Sequence, residues 1–578
     1  MKKIKDIEKI RHSLAHILAA AVKELYPKAK FGMGPAIENG FYYDFGDLKI
    51  TEKDLKIIEN KMKELIKKDL KFEKKLVTQE SAKKLFKGEK YKLELIKEMK
   101  NKVTTYKCGD FVDLCKGPHI KSTKEIGFDT FELQRIAGAY WKGDEKNEML
   151  TRIYGLAFNS KKELSAFKKL LEEAEKRDHR KLGKELDLFC FSDLVGSGLP
   201  LFTPKGTIII EELQKEIEKI CREHGFEKVR TPHLAKIKLY ELSGHAKKFG
   251  EELFHVSSGR GHNFVMKPVQ CPHQTQIYAS HHRSYRDLPI RYMESEKQYR
   301  AEKVGEVGGL NRVYAITVED GHTFCTKDQV KDEIKTMVNI IKKFYTSIGL
   351  WDNHWVSLSV RDKKHPEKYI GEEKDWNLCE KILKEVSDEM GLDAKKMEGE
   401  AALYGPKLDF MFRDAIGKEI QIPTVQIDFA TPKRFDLVYT DKDGKEKPPV
   451  MVHRAVLGSY ERFLALIIEH FAGALPVWLS PIQVSVIPIS EKHLKYAQSI
   501  AKELNSSDIR CEAKDENETI GKKIRGAETQ KIPYILVVGD AEIKNKSVNV
   551  RKRGREDLGE MGLDKFLKIV ENDIDSKK

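Results

Sequence analysis

No run of apolar residues in this chain approaches the roughly 20 that a helix needs to cross a bilayer. Near the N-terminus, Asp6 and Glu8 stand where a secretory signal would carry an apolar block. The expectation is a soluble, cytoplasmic protein with no membrane partner. Cysteine is sparse, eight in 578 residues and scattered without a framework spacing. That excludes a disulfide scaffold and leaves reduced thiols, a few of them available as ligands. The sequence shows no internal repeat, and its one compositional bias is lysine richness.

Size and charge are what the chain does have. Its length and 40% hydrophobic residues fit three to five domains, each with its own core. Lys plus Arg exceed Asp plus Glu by 105 − 91 = 14. Such an excess favours a polyanionic partner, and a lysine-rich genome gives the same number with none.

Two short segments bring four metal- or proton-competent side chains at i, i+4 spacing: His12 and His16 in HSLAH, and Cys115 and His119 in CKGPH. Ile10, Leu14, Ile17, Ala21 and Leu25 form one helical stripe, and His12 and His16 project from roughly the opposite face. They are either solvated surface histidines or part of a site. Cys115 and His119 straddle Gly117-Pro118, which favours a turn. The four together suit zinc. They suit equally a metal-free hydrolytic pocket in which an imidazole positions a water.

Residues 1–155 mix helices with strand-like runs such as Gly40 to Phe45. Ser160 to Lys184 reads as one amphipathic helix, with Leu164, Phe167, Leu170, Leu171 and Ala174 on its apolar face. Val195 to Pro200 is a loop, and Thr207 to His224 a helix closed by Gly225 at C′. From residue 480 strands and helices alternate: strands Val484 to Ile489, Ile509 to Ala513 and Tyr534 to Val538, and helices His493 to Leu504, Ile520 to Thr529 and Leu563 to Val570. That pattern predicts a small α/β domain with a mostly parallel sheet.

Three further stretches narrow the reading: GFEKVRTP (225–232), Arg300-Ala301-Glu302 after a strand, and GSYERF (458–463) opening a helix. In this order and separation they resemble motifs 1, 2 and 3 of class II aminoacyl-tRNA synthetases. HSLAH, GPAIENGFYYDF, CKGPH, GAYWKGD, RDHRKLGKELDLF, SYRDLPIR, YGPKLDF, TVQIDF and VMVHRAVLGSYERF extend the resemblance over nearly the whole chain, and within that class to the threonyl-tRNA synthetases.

The resemblance implies an α+β multidomain chain: an editing domain at 1–155, a connecting helix at 156–184, a class II antiparallel-sheet catalytic domain at 185–478 and an α/β anticodon-binding domain at 479–578. It implies a threonine–tRNA ligase that forms threonyl-adenylate from ATP and L-threonine, charges tRNA(Thr), clears seryl-tRNA by hydrolysis, and pairs as a homodimer through the motif 1 helix and strand. One Zn2+ per subunit would sit on Cys271, His322 and His453, with Mg2+ entering on ATP. Arg300, Glu302, Arg312 and Arg462 match ATP-handling positions. Asp320, Tyr404, Lys407 and Gln426 match the threonine pocket. His12, His16, Cys115 and His119 match the editing pocket, with Tyr43, Lys92 and Asp113 beside it. Asn517, Arg525, Glu542 and Arg551 match positions that read anticodon bases, and the run Val550 to Arg553 offers charge to phosphates.

The chain also departs from the family. Val269-Gln270-Cys271-Pro272-His273 stands where NCPGH is usual, and residues 312–322 carry Tyr314, Ile316 and Val318 where the family has RVRGFTQDDAH. Ile316 replaces an aromatic that stacks on adenine, Val318 a polar residue, and Pro423 a glycine of the threonine pocket wall. A weakened ATP site follows as an expectation. The second reading is therefore a tRNA-binding, editing-only relative whose activation step has decayed.

Overall fold

The computed structural model describes residues 2–99, 102–144, 146–413, 417, 419–554 and 556–578. It divides into two compact units, Met1–Glu172 and Glu173–Lys578. Among the described residues no helix is long and apolar enough to cross a membrane. All eight cysteines are free thiols.

The first unit is organised on the helix Lys2–Leu25, where the expected single apolar stripe proves too narrow. Leu14, Ile17 and Ala21 are buried as the pattern predicts, but so are Ala15, Leu18, Ala19 and Val22, and His16 is only 2% exposed. A helix enclosed on nearly every side can hold a polar side chain inside the protein only if the surroundings are built for it. The helix packs with Glu52–Lys67 and with an antiparallel sheet ordered Lys30–Phe31, Gly40–Gly46, Met149–Ala157 and Phe131–Tyr140. A second sheet, Phe72–Val77, Val103–Cys108 and Phe111–Leu114, runs into the loop that carries Cys115 and His119.

The single helix expected over Ser160 to Lys184 is two, Lys161–Arg177 and His179–Glu185. Asp178 separates them because its carboxylate accepts the Arg180 N–H and starts a new helix. The expected helix at Thr207 to His224 is Pro204–Glu223, and Gly225 follows it at φ +77°, the left-handed conformation that closes a helix with least strain in glycine.

An eight-stranded sheet forms the second unit's centre, in the order Glu227–Lys228, Ile290–Tyr299, Ala315–Cys325, Val450–Ser459, Glu419–Asp428, Lys407–Arg413, His354–Val360, Lys395–Glu398. The six inner strands are antiparallel and the two edge strands join in parallel. Strand alternation sorts its side chains. Cys325, Val450 and Val452 enter the core with the helices Pro204–Glu223, Val330–Ser347 and Tyr460–His470, whereas Phe324 and Met451 join a smaller cluster with Cys271 and Tyr278. His322 and Asp320 keep step with Phe324, and His453 with Met451. All three are thereby aimed at the side of the sheet where Cys271 lies.

At the C-terminal end the three expected strands and three helices are present, but the sheet is mixed. Its order is Cys511–Ala513, Val484–Pro488, Tyr534–Val538, Ser547–Lys552, Glu556–Gly562, and the last two strands, absent from the sequence reading, pair antiparallel. Gly-, Lys- and Glu-rich, they lack the apolar run that marks a buried parallel strand. A helix at Asp540–Asn545 was likewise not expected.

Two candidate active sites

In the first unit the ligand-capable atoms of His12, His16, Cys115 and His119 lie within 4.8 Å of one another. Cys115 Sγ is 3.1 Å from His12 Nε2 and 3.2 Å from His119 Nε2, and accepts the Gly117 N–H at 3.2 Å. Ser13, which sequence reasoning passed over, holds the second ring: its hydroxyl accepts the Ile120 N–H and sits 3.0 Å from His119 Nδ1. The only signal for it was its place beside His12.

Burial, reinforced by the His16 and His12 rings, pushes His119 down to about 2. Burial also keeps His16 well below, and His12 below, the ordinary imidazole value, and raises the Cys115 thiol to about 11. At neutral pH the pocket therefore presents three neutral imidazoles and a thiol, and His16 Nδ1 is buried without a partner. Behind them Tyr43 donates to Asp113 at 2.7 Å, Lys92 donates to Tyr43 at 3.0 Å, and Lys92 pairs with Asp113. His16 Nε2 stands 3.9 Å from the same carboxylate. A cavity of about 720 Å³, lined by Arg11, His12, Ile37 and Pro118 among others, opens beside the cluster.

In the second unit Cys271, His322 and His453, all buried, also place their ligand atoms within 4.8 Å. His322 and His453 are direct partners across neighbouring strands, and Cys271 begins the helix Cys271–Ala279. His322 Nδ1 is 2.8 Å from Gln274 Oε1, and its other nitrogen, Nε2, is buried with no hydrogen-bond partner. His453 donates through Nε2 to Asp428 at 3.1 Å, which leaves Nδ1 as its free lone pair. Two bare imidazole nitrogens and a sulfur, converging in a buried place, fit a three-ligand cation site with an open position.

Around it, Tyr404 stacks on His453 with centroids 4.7 Å apart and donates to Gln426 Oε1 at 2.9 Å. Gln426 is the strand partner of both His453 and Lys407, and Lys407 pairs with Asp409. Asp320 Oδ2 lies 3.8 Å from His322, and burial raises its carboxyl to about 7. Arg300 lines two cavities: one of about 210 Å³ shared with Tyr404 and His245, and one of about 650 Å³ shared with Glu302, Arg312, Arg462, Ile316 and Val318. His245, inside the first, is a second residue that sequence reasoning missed; burial lowers it to about 4.

Arg312 is not free in the larger cavity: it donates to Glu302 at 2.7 Å and pairs with Glu306. Arg462 is pushed down by burial and by the Arg312 guanidinium, the sign of a place where two cations converge. Tyr314 turns away to pack by Gly198 and Phe254, while its carbonyl accepts the Arg300 N–H. Pro423 falls where the pairing of Lys407–Arg413 with Glu419–Asp428 shifts register, a bulge in which a missing N–H is tolerated.

Residues 254–471 match the family model of the class II tRNA synthetase core domain (G, H, P, S and T), 483–573 the anticodon binding domain, and 103–154 the second additional domain of threonyl and alanyl tRNA synthetases. The threonine–tRNA ligase of Porphyromonas gingivalis is 46% identical over 98% of this chain and 87% of its own length, and that of Parabacteroides distasonis matches equally well. The chain belongs to the threonyl-tRNA synthetase family, the threonine–tRNA ligases.

A solved structure described as the RNA binding domain of threonyl-tRNA synthetase from Cryptosporidium parvum Iowa II superposes on this synthetase with a TM-score of 0.65. It is 34% identical and covers 68% of this chain and 98% of its own. An editing-only relative is not favoured by a core match that takes in residues 300–462.

In the synthetase's last domain Asn517, Arg525 and Arg551 are exposed, as base readers would need to be. Glu542 is half-buried and already has a partner, since it accepts the Gly539 N–H and caps its own helix. The expected basic run is less available than it reads. Lys552 pairs with Asp573, and Arg553 donates to the Lys531 carbonyl.

Proposed function

We propose that this synthetase activates L-threonine with ATP at the Cys271, His322, His453 pocket, transfers it to tRNA(Thr), and hydrolyses seryl-tRNA at the His12, His16, Cys115, His119 pocket. The observation that carries the reading is the double position of Arg300, which borders the small cavity beside Tyr404 and the large one beside Arg462. A carboxylate in the first and a triphosphate in the second would meet at its guanidinium. Negative charge that builds on the α-phosphate during attack is met there by Arg300 and, farther along the phosphates, by Arg462. Mg2+ enters with ATP.

Cys271, His322 and His453 would hold zinc, which would supply a Lewis acid for an amino and a hydroxyl group, and valine lacks the hydroxyl. Tyr404, Gln426 and Lys407 orient the substrate's polar groups, and Asp320 accepts its amine or hydroxyl hydrogen. Glu302 faces the base once Arg312 releases it to the triphosphate. Serine keeps the hydroxyl and differs by one methyl, worth roughly 1–3 kcal/mol, so a second site is required. There a neutral imidazole of the set His12, His16 and His119 positions the attacking water beside Cys115, while Lys92, Tyr43 and Asp113 hold the floor.

In this account residues 1–155 edit, 156–184 connect, 185–478 activate and 479–578 read the anticodon through Asn517, Arg525, Glu542 and Arg551, in a cytoplasmic homodimer. Threonine-dependent exchange of pyrophosphate into ATP, with and without zinc, tests the activation half. Hydrolysis of pre-formed seryl-tRNA tests the other.

A further inference from the structure

Gln274 lies one helical turn beyond Cys271 and is fully buried. Its amide is held at both ends. Nε2 donates to Glu294 Oε2 at 3.4 Å, and Oε1 is 2.8 Å from His322 Nδ1. Glu294 is itself fixed, accepting the Thr231 N–H at 2.6 Å and the Thr231 hydroxyl, with the buried Lys267 ammonium 3.6 Å away. Lys267 also donates to the Thr231 hydroxyl at 3.0 Å.

The polarity of this chain runs one way. An ionised carboxylate only accepts, so the NH2 end of Gln274 must face Glu294 and its carbonyl must face His322. A carbonyl also only accepts, so Nδ1 of His322 must carry the ring proton. That leaves Nε2, the nitrogen without any partner, as a bare lone pair. With the ring proton on Nε2 instead, His322 would have no lone pair to give at that nitrogen, while its Nδ1 is taken up by Gln274.

We propose that Gln274, oriented by Glu294, is a positioning residue that fixes His322 in the tautomer able to bind the cation. The inference rests on the zinc reading above. It gives the two imidazoles different supports: a neutral amide behind His322, and behind His453 the carboxylate of Asp428, which is anchored by the N–H groups of Ala430 and Thr431 at 2.8 Å each. Supports of this kind set tautomer and ring orientation, and their loss weakens metal binding by about 10–100-fold.

The test is the zinc dissociation constant, by chelator competition, of the full-length protein, Gln274→Met and Glu294→Gln, together with absorption spectra of the Co2+-substituted forms. Methionine keeps the shape of glutamine and removes the strong acceptor. Glu294→Gln keeps Gln274 and lets its amide turn over. Both variants should bind zinc about 10–100-fold more weakly, with displaced Co2+ bands, in protein that still unfolds cooperatively. Wild-type affinity and an unchanged spectrum in folded Gln274→Met would overturn the inference while leaving the zinc site standing. If Gln274→Met does not fold, Glu294→Gln decides in the same way. Wild-type protein that takes up no zinc would remove the zinc site itself.

Discussion

His322 and His453 stand opposite each other on adjacent antiparallel strands, ring centroids 4.8 Å apart, each with one nitrogen committed to a protein partner and one left bare. Cys271 completes the set from a helix start. Purified protein should therefore hold about one zinc per subunit, and Cys271→Ala should lose both the metal and threonine activation. Metal analysis of the variant decides it, and full occupancy without the thiol would remove the account of the pocket.

Arg462 opens the helix Tyr460–His470 and faces the larger cavity across from Arg312. If it meets the developing phosphate charge, Arg462→Ala should lower the rate of pyrophosphate exchange by about 100–1,000-fold, the usual scale for removing one preorganised donor. The KM for threonine should move far less. A loss confined to KM for threonine would place this guanidinium in the wrong pocket.

Much of this was legible in the sequence because it rests on local pattern. The apolar stripe from Ile10 to Leu25 marks one helix and Gly225 closes another, while Asp320 and His322 are reached only through the resemblance to a family. What escaped depends on tertiary packing. The burial of His16 escaped because helical periodicity cannot show that Lys2–Leu25 is enclosed on nearly every side. Gln274 and His245 carry no motif of their own, Asp428 lies within TVQIDF without a role that the motif shows, and only the fold brings the three to the site. The strands Ser547–Lys552 and Glu556–Gly562 pass unnoticed because an antiparallel edge ribbon needs no apolar run.

Replacing His12 and His16 together with Ala should leave threonine activation unchanged, since those residues belong to the other compact unit. Hydrolysis of pre-formed seryl-tRNA should fall to background. Equal deacylation rates in wild type and double variant would make the cluster structural.

The same cluster predicts an acid-sensitive first unit. His119 is held near 2 in the folded protein, against about 6.5 when unfolded. Between those values the unfolded chain binds the extra proton, so stability falls as pH drops below about 6.5. From pH 7 to 5 this ring alone should remove at most about 2 kcal/mol, and His16, shifted the same way, adds to it. The protection factors of the amides of residues 12–22 in the full chain, taken relative to intrinsic exchange at each pH, should fall over that interval, less so in His119→Asn. Protection that is indifferent to pH would contradict the neutral-imidazole pocket.

Arg551 is an exposed residue of the inner strand Ser547–Lys552, with no side-chain partner pairing it among the described residues. Arg551→Ala should raise the KM for tRNA in aminoacylation, leave pyrophosphate exchange intact and, if the contact is to phosphate, reduce the salt dependence of binding by about one unit of slope. A variant with wild-type tRNA affinity at every salt concentration would take Arg551 out of the interface.

The central claim is that the pocket of Cys271, His322 and His453 activates threonine beside Arg300. Its most direct test is amino-acid-dependent pyrophosphate exchange on zinc-loaded, zinc-stripped and zinc-restored protein. The account predicts exchange with threonine, slower exchange with serine and none with valine, all lost on stripping and regained with zinc. Zinc-loaded protein that supports no exchange with threonine, yet still deacylates seryl-tRNA, would contradict it.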